Sequence, residues 1–214
     1  MTEPIETERL LALAASGDLP ALAQLFERYR GRLEQMVYLR LDRRLRGRFD
    51  PADVLQEAYL EMTRRFPEYA ADPALPFYLW LRTLTGQKMI DQHRRHLGAK
   101  MRDVGMEVSL HRGEWPHASS ASLAEMLLGR LTPASRAAIR AETRRRVQEA
   151  LNSMAPIDRE VLVLRHFEML SNEETARVLG LKTSAASNRH LRALKRLKEI
   201  LAESPSLAEG FGGV

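Results

Sequence analysis

The sequence predicts an all-α protein: two small helical domains joined by a flexible linker, the second a helix-turn-helix domain. Three observations carry this. Apolar residues recur at spacings of three and four almost throughout, while alternating strand-type runs are scarce. The periodicity fades between Gly98 and Leu131, where glycine, serine, histidine and methionine mix around Pro116. Beyond it, "SNEETARVLGLKTSAASNRHLRALKRL" reads as a capped helix, a glycine turn and a second, basic helix. The expected domains are residues 1–100 and 133–203, with 101–132 as linker and 204–214 as a frayed tail.

Composition narrows the class. The 214 residues hold 33 Lys+Arg against 28 Asp+Glu, a net charge of +5. That excess is modest, so its placement matters more than its size. The absence of cysteine excludes disulfides and cysteine-ligated zinc and suits a reducing compartment. The chain opens on acidic and polar residues, and its apolar runs are short for a bilayer span. A soluble cytoplasmic protein without membrane insertion is expected.

In chain order, "LLALAASGDLPALAQLFERYRGRLEQMVYLRL" forms a helix pair broken at Gly17–Asp18, with Asp18 capping the second helix just before Pro20. "RFDPADVLQEAYLEMTRRF" starts the next helix, with Asp50 as N-cap and Pro51 at the first position. Within it Val54, Ala58 and Met62 repeat at i, i+4, i+8 and mark a core face. Asp53, Gln56 and Glu57 share another face, an acidic-polar patch. After Pro73 and Pro76 comes a long helix joining Trp80 to a basic run of Lys88, Arg94 and Arg95, continued by Lys100 and Arg102. Cations beside an aromatic can hold a phosphate backbone and stack unpaired bases; the alternative is a core tryptophan beside a helix C-terminus that favours cations.

In the second block, "APIDREVLVLRHFEML" is amphipathic, with Pro156 near its start, Asp158 and Glu160 in the first turn, and Ile157, Val161 and Leu164 on one side. Ser171 and Glu174 form a capping box, and Ala176 stands four residues before Gly180, a spacing that lets two helices cross tightly. Thr183 or Ser184 caps the final helix. There Leu191, Leu194, Leu197 and Leu201 form the expected buried stripe, with His190 projecting into it, while Ala185, Asn188, Arg189, Arg192 and Arg196 lie opposite. Asn188 has the donor and acceptor that grip adenine N6 and N7; Arg189 or Arg192 suits guanine or phosphate. Small residues at Ser184, Ala185 and Ser187 allow close approach to a groove.

An enzyme fits poorly. Six histidines are scattered, no glycine-rich phosphate loop is present, and His93 and His96 lack a third ligand in sequence. No metal or cofactor is expected. A stand-alone helix-turn-helix regulator is the rival reading, but such proteins pair through a dimer interface and no long leucine heptad segment offers one.

The first block decides between them by resemblance. "DPADVLQEAYLEM", "WLRTLTGQKMIDQHRR" and the C-terminal stretch from Leu151 to Leu197, in this order around an intervening segment, resemble bacterial sigma-70-type factors of the extracytoplasmic-function (ECF) group. "RLRGRFDPADVLQEAY" and "SAASNR" are similar to a planctomycete-type group within it. The resemblance implies a non-catalytic polymerase subunit that directs promoter recognition, DNA melting and initiation. Its partners would be core RNA polymerase (clamp helices and flap), promoter DNA and, as a further candidate, an anti-sigma factor. It gives Asp50, Asp53, Gln56 and Glu57 to polymerase docking. Trp80, Gln87, Lys88, Arg94, Arg95, Lys100 and Arg102 fall to the minus-ten element, Gln87 standing where asparagine is usual. Lys182, Thr183, Ser184, Ser187, Asn188, Arg189, Arg192 and Arg196 fall to the minus-thirty-five element. Asn188 stands where serine is frequent, and Ala186 replaces the usual valine or isoleucine, implying a shallower packing step. The segment from Gly98 to Leu131 would thread toward the RNA exit path.

Overall fold

The computed structural model describes residues 3–40, 50–97, 117–129 and 137–202. They are helical throughout apart from short turns. In order the helices are α1 (Glu3–Ala15), α2 (Leu19–Arg40), α3 (Pro51–Ala71), α4 (Phe77–Leu97), α5 (Ser120–Gly129), α6 (Ala137–Ser153), α7 (Pro156–His166), α8 (Asn172–Leu179) and α9 (Thr183–Ala202). The chain divides into two compact units, Met1–Val37 with Leu45–Pro116, and Tyr38–Arg44 with His117–Val214.

Local chemistry sets the helix starts of the first unit. Gly17 takes a positive φ of 96° between α1 and α2, a conformation that costs glycine little. Asp18 then accepts a hydrogen bond from the Ala21 N–H at 3.0 Å. Asp50 caps α3 through the Ala52 N–H, with Pro51 in the first turn. Val54, Ala58 and Met62 are fully buried, as their spacing predicts. Leu25, Leu33 and Met36 of α2 and Leu81, Leu84 and Met89 of α4 are buried as well.

An aromatic cluster closes one end of α3 on the start of α4. Trp80 stacks on Tyr69 with ring centroids 4.4 Å apart and planes 24° from parallel. Phe66 and Phe77 stand against it at 6.4 and 5.7 Å. The Tyr69 hydroxyl donates to the Leu75 carbonyl at 3.0 Å, which ties the Pro73–Pro76 turn into the cluster.

The second unit packs α5 to α9 around Leu123, Leu128, Val147, Leu151, Leu162, Val163 and Phe167, with Leu39 and Ala193 in the same cluster. Helix α5 lies within the stretch expected to be linker. Ala121, Leu123, Ala124 and Leu128 are its buried apolar residues, so residues 120–129 belong to the packed unit. Of the rest of the expected linker, residues 101–116 and 130–132 lie outside the described residues, as does the tail beyond 202.

Arg40, counted with this unit, is fully buried and pairs with Glu160 and with Glu168, the latter at 2.6 Å. Burial opposes its charge, yet Glu160 and Glu168 together hold the guanidinium above the ordinary arginine value. Glu160 also accepts the Ala118 N–H at 3.0 Å. The sequence puts Glu160 in the first turn of α7 with Asp158; only Asp158 lies there, and Glu160 is a buried ion-pair partner further along the helix.

Candidate nucleic-acid interface

The turn between α8 and α9 follows from a few residues. Ser171 accepts the Glu174 N–H at 3.1 Å while Glu174 accepts the Ser171 N–H at 2.7 Å, a complete capping box. Helix α8 ends at Gly180, left-handed at φ 63° and ψ 31°, and the Leu181 N–H returns to the Ala176 carbonyl at 2.8 Å. Asn172 donates to the Thr183 carbonyl at 3.0 Å and fixes where α9 begins. Ala176 and Ala186 are both buried.

Helix α9 packs one face inward through Ala186, His190, Ala193, Leu194 and Leu197. Lys182, Thr183, Ser184, Ala185, Ser187, Asn188, Arg192, Lys195 and Arg196 are exposed. Two expectations change. Leu191 is 61% exposed, so the buried stripe is rotated away from it. Arg189 is half-buried and pairs with Asp158 of α7 at 2.7 Å, so it braces α9 from behind and does not stand on the outer face. Arg196 remains outward and pairs with Glu199 at 3.3 Å.

His190 holds the boundary position its projection indicated. Its Nε2 lies 2.8 Å from Nε2 of His166, and the ring centroids are 5.0 Å apart. The rings therefore meet nearly end to end, one nitrogen donating to the other. Burial lowers the pKa of both rings; the Arg165 charge adds to this at His166, and His166 and Arg165 add to it at His190.

In the first unit, Asp53, Gln56 and Glu57 line one open pocket of about 400 Å³ with Leu60, Gln92 and Arg95. Asp53, Gln56 and the 61% exposed Leu60 point outward. Asp50, besides capping, is exposed beside them. Glu57 accepts from Gln92 at 2.9 Å and from Arg95 at 3.2 Å. Lys88 pairs with Glu61 at 3.0 Å. Arg64 first, then Lys88, hold the Glu61 carboxyl below the ordinary glutamate value. Two cations expected on the minus-ten strand are thus engaged by α3 carboxylates. Gln92, which sequence reasoning did not single out, is the buried link between the helices; a polar residue one position after Asp91 carries no signal of that contact. Gln87 is exposed on α4, whereas Trp80 is half-buried in the aromatic cluster. The side chain of Arg94, and Lys100 and Arg102 altogether, lie outside the described residues.

A helical unit with a carboxylate-lined outer surface, followed by a helix-turn-helix unit, is the layout of the sigma-70 class, and two family descriptions match in that order. Sigma-70 region 2 matches residues 25–97 and sigma-70 region 4 matches residues 144–197. The ECF RNA polymerase sigma factor SigD of Mycobacterium tuberculosis is 30% identical over 192 residues, covering 90% of this chain and 82% of that protein. The RNA polymerase sigma factor CarQ of Myxococcus xanthus is 29% identical over 191 residues, 87% and 92% of the two chains. The solved structure of CnrH in complex with the cytosolic domain of CnrY shares the fold, with a TM-score of 0.54 at 24% identity over 93% of this chain and 99% of that one. The chain belongs to the ECF sigma factors of the sigma-70 family. It is therefore a non-catalytic RNA polymerase subunit acting in promoter recognition and transcription initiation. Among the described residues, no helix is long and apolar enough to cross a membrane.

Proposed function

We propose that the two units divide the promoter between them in the cytoplasm. The first, residues 1–100, docks on the clamp helices of core polymerase through Asp53, Gln56 and Glu57, with Asp50 at the rim. It holds the opened minus-ten strand near Gln87, with Lys88, Arg94, Arg95, Lys100 and Arg102 as phosphate contacts. The second, residues 133–203 with α5 packed into it, places α9 in the minus-thirty-five major groove while polymerase holds this unit by its flap. The part of residues 101–132 that precedes α5 connects the two. Opening costs a few kcal/mol per unstacked step, offset by base and phosphate contacts.

The observation that carries this reading is the outer face of α9: Ser184, Ser187, Asn188 and Arg192 all exposed behind a capped, glycine-closed turn. Lys182 and Thr183 at its start suit phosphates. The stretches "RLRGRFDPADVLQEAY" and "SAASNR" support a planctomycete-type group within the family. An anti-sigma factor, implied by the family, is a further partner in this reading; CnrH, which shares the fold, is solved with a protein partner, the cytosolic domain of CnrY.

In vitro transcription with core polymerase over a randomised promoter library tests the assignment. It should return a two-element promoter whose use is lost on Asp53→Arg while the second unit stays folded. Asn188→Ala should relax one upstream base by about 1–3 kcal/mol. Tight dimeric binding to a palindrome, with no gain from core polymerase, would sink it.

A further inference from the structure

We propose that Leu191 is a specificity residue that reads the C5 methyl of a thymine in the upstream promoter element. The inference rests on the placement of α9 in the major groove and adds to it a base contact of a different chemical kind.

The exposure of α9 is the starting point. Its inward residues, Ala186, His190, Ala193 and Leu197, fix which side faces the unit. At about 100° per residue, Ser184, Asn188, Leu191 and Lys195 fall on the opposite side. Leu191 is thus a large apolar side chain, 61% exposed, on the face that carries Asn188 and about 60° round the helix from it.

Its surroundings argue for a nucleic acid over a protein. No other exposed large hydrophobic side chain is found on α9 among the described residues, so among them Leu191 stands alone and not within an apolar patch that would seat another protein. Arg192 and Lys195 flank it and are exposed, which suits the phosphate rims of a groove. The residues ahead of it, Ser184 and Ser187, are small and let the helix sit deep.

The major groove offers one apolar group among its base edges, the thymine methyl. Leu191 follows Asn188 by three residues, roughly 4.5 Å along the helix axis at 1.5 Å per residue. That advance is on the order of one base-pair step, about 3.4 Å. The thymine therefore lies at, or next to, the base pair that Asn188 reads.

Replacing single thymines with deoxyuridine removes only the methyl group, and this is the test. With the full chain, core polymerase and the selected promoter, each upstream thymine on either strand is replaced in turn. One position should lower initiation about fourfold, the worth of one buried methyl group. Leu191→Ala should lower initiation on the thymine template to a similar extent and be indifferent to the deoxyuridine at that position. The proposal is overturned if no position shows a methyl effect. It is equally overturned if Leu191→Ala reduces initiation while keeping the wild-type methyl sensitivity, which would place the leucine against polymerase. Initiation that depends on the promoter but shows neither effect removes Leu191 alone. Absence of any promoter-dependent initiation removes the placement of α9 together with it.

Discussion

Replacing Trp80 separates two roles that the sequence leaves open, a base-stacking platform and a structural ring. Trp80 is half-buried, stacked on Tyr69 at 4.4 Å and flanked by Phe66 and Phe77. Truncating a buried aromatic costs about 3–5 kcal/mol, and each lost ring pair accounts for about 0.5–1.5 kcal/mol beyond its area. Partial exposure puts Trp80→Ala at the lower end, about 3 kcal/mol. For a unit of this size that lowers the melting temperature by more than about 10 °C. Trp80→Phe keeps a ring in the cluster and should cost less than about 1.5 kcal/mol. Urea and thermal unfolding followed by far-UV circular dichroism give the stability. In vitro initiation on duplex and on pre-melted templates gives the function. A structural ring predicts that Trp80→Ala loses initiation on both templates in step with its folded fraction. If Trp80→Ala unfolds like the wild type, initiates normally on the pre-melted template and fails only on duplex, the structural reasoning is refuted.

Two further perturbations address the second unit. Gly180 is left-handed but has open space where a Cβ would sit, so Gly180→Ala should cost about 1–2 kcal/mol from the backbone alone, and Gly180→Asn less; equal stability of all three by urea midpoint would contradict this. The lowered pKa values of His166 and His190 mean that the unfolded chain takes up protons first as pH falls below the ordinary histidine value of about 6.5. The stability they contribute is thus fully present above that pH and is lost as pH drops through the folded-state values. Wild type should lose more stability between pH 7.5 and 5 than His190→Asn does, and parallel curves would exclude the pair as the source.

What could be read in advance was what neighbours in sequence decide. The capping box at Ser171 and Glu174, the turn at Gly180, the cap at Asp50 and the face of Val54, Ala58 and Met62 each depend on residues within a few positions, and the structure holds them all. The phase of α9 was not legible in the same way. Leucines at 191, 194 and 197 offer one apolar stripe, but burial follows Ala186, His190, Ala193 and Leu197. The choice depends on the facing helix, through His166 twenty-four positions away and Asp158 thirty-one away. Likewise Lys88 and Arg95 look like free cations until α3 supplies Glu61 and Glu57. Helix α5 was hidden because ten residues show too few turns for a period to stand out.

The internal pairing of Arg95, Lys88, Arg189 and Arg196 changes how the protein responds to ionic strength. A cation that already faces a carboxylate has shed its own counterion, so moving it onto a phosphate liberates ions only from the DNA side and leaves a carboxylate to be recharged by sodium or potassium. Each free cation on a phosphate steepens the fall of log affinity with log salt by about 0.9, and each exchanged one steepens it less. The slope therefore counts cations left over after folding, not those written in the chain.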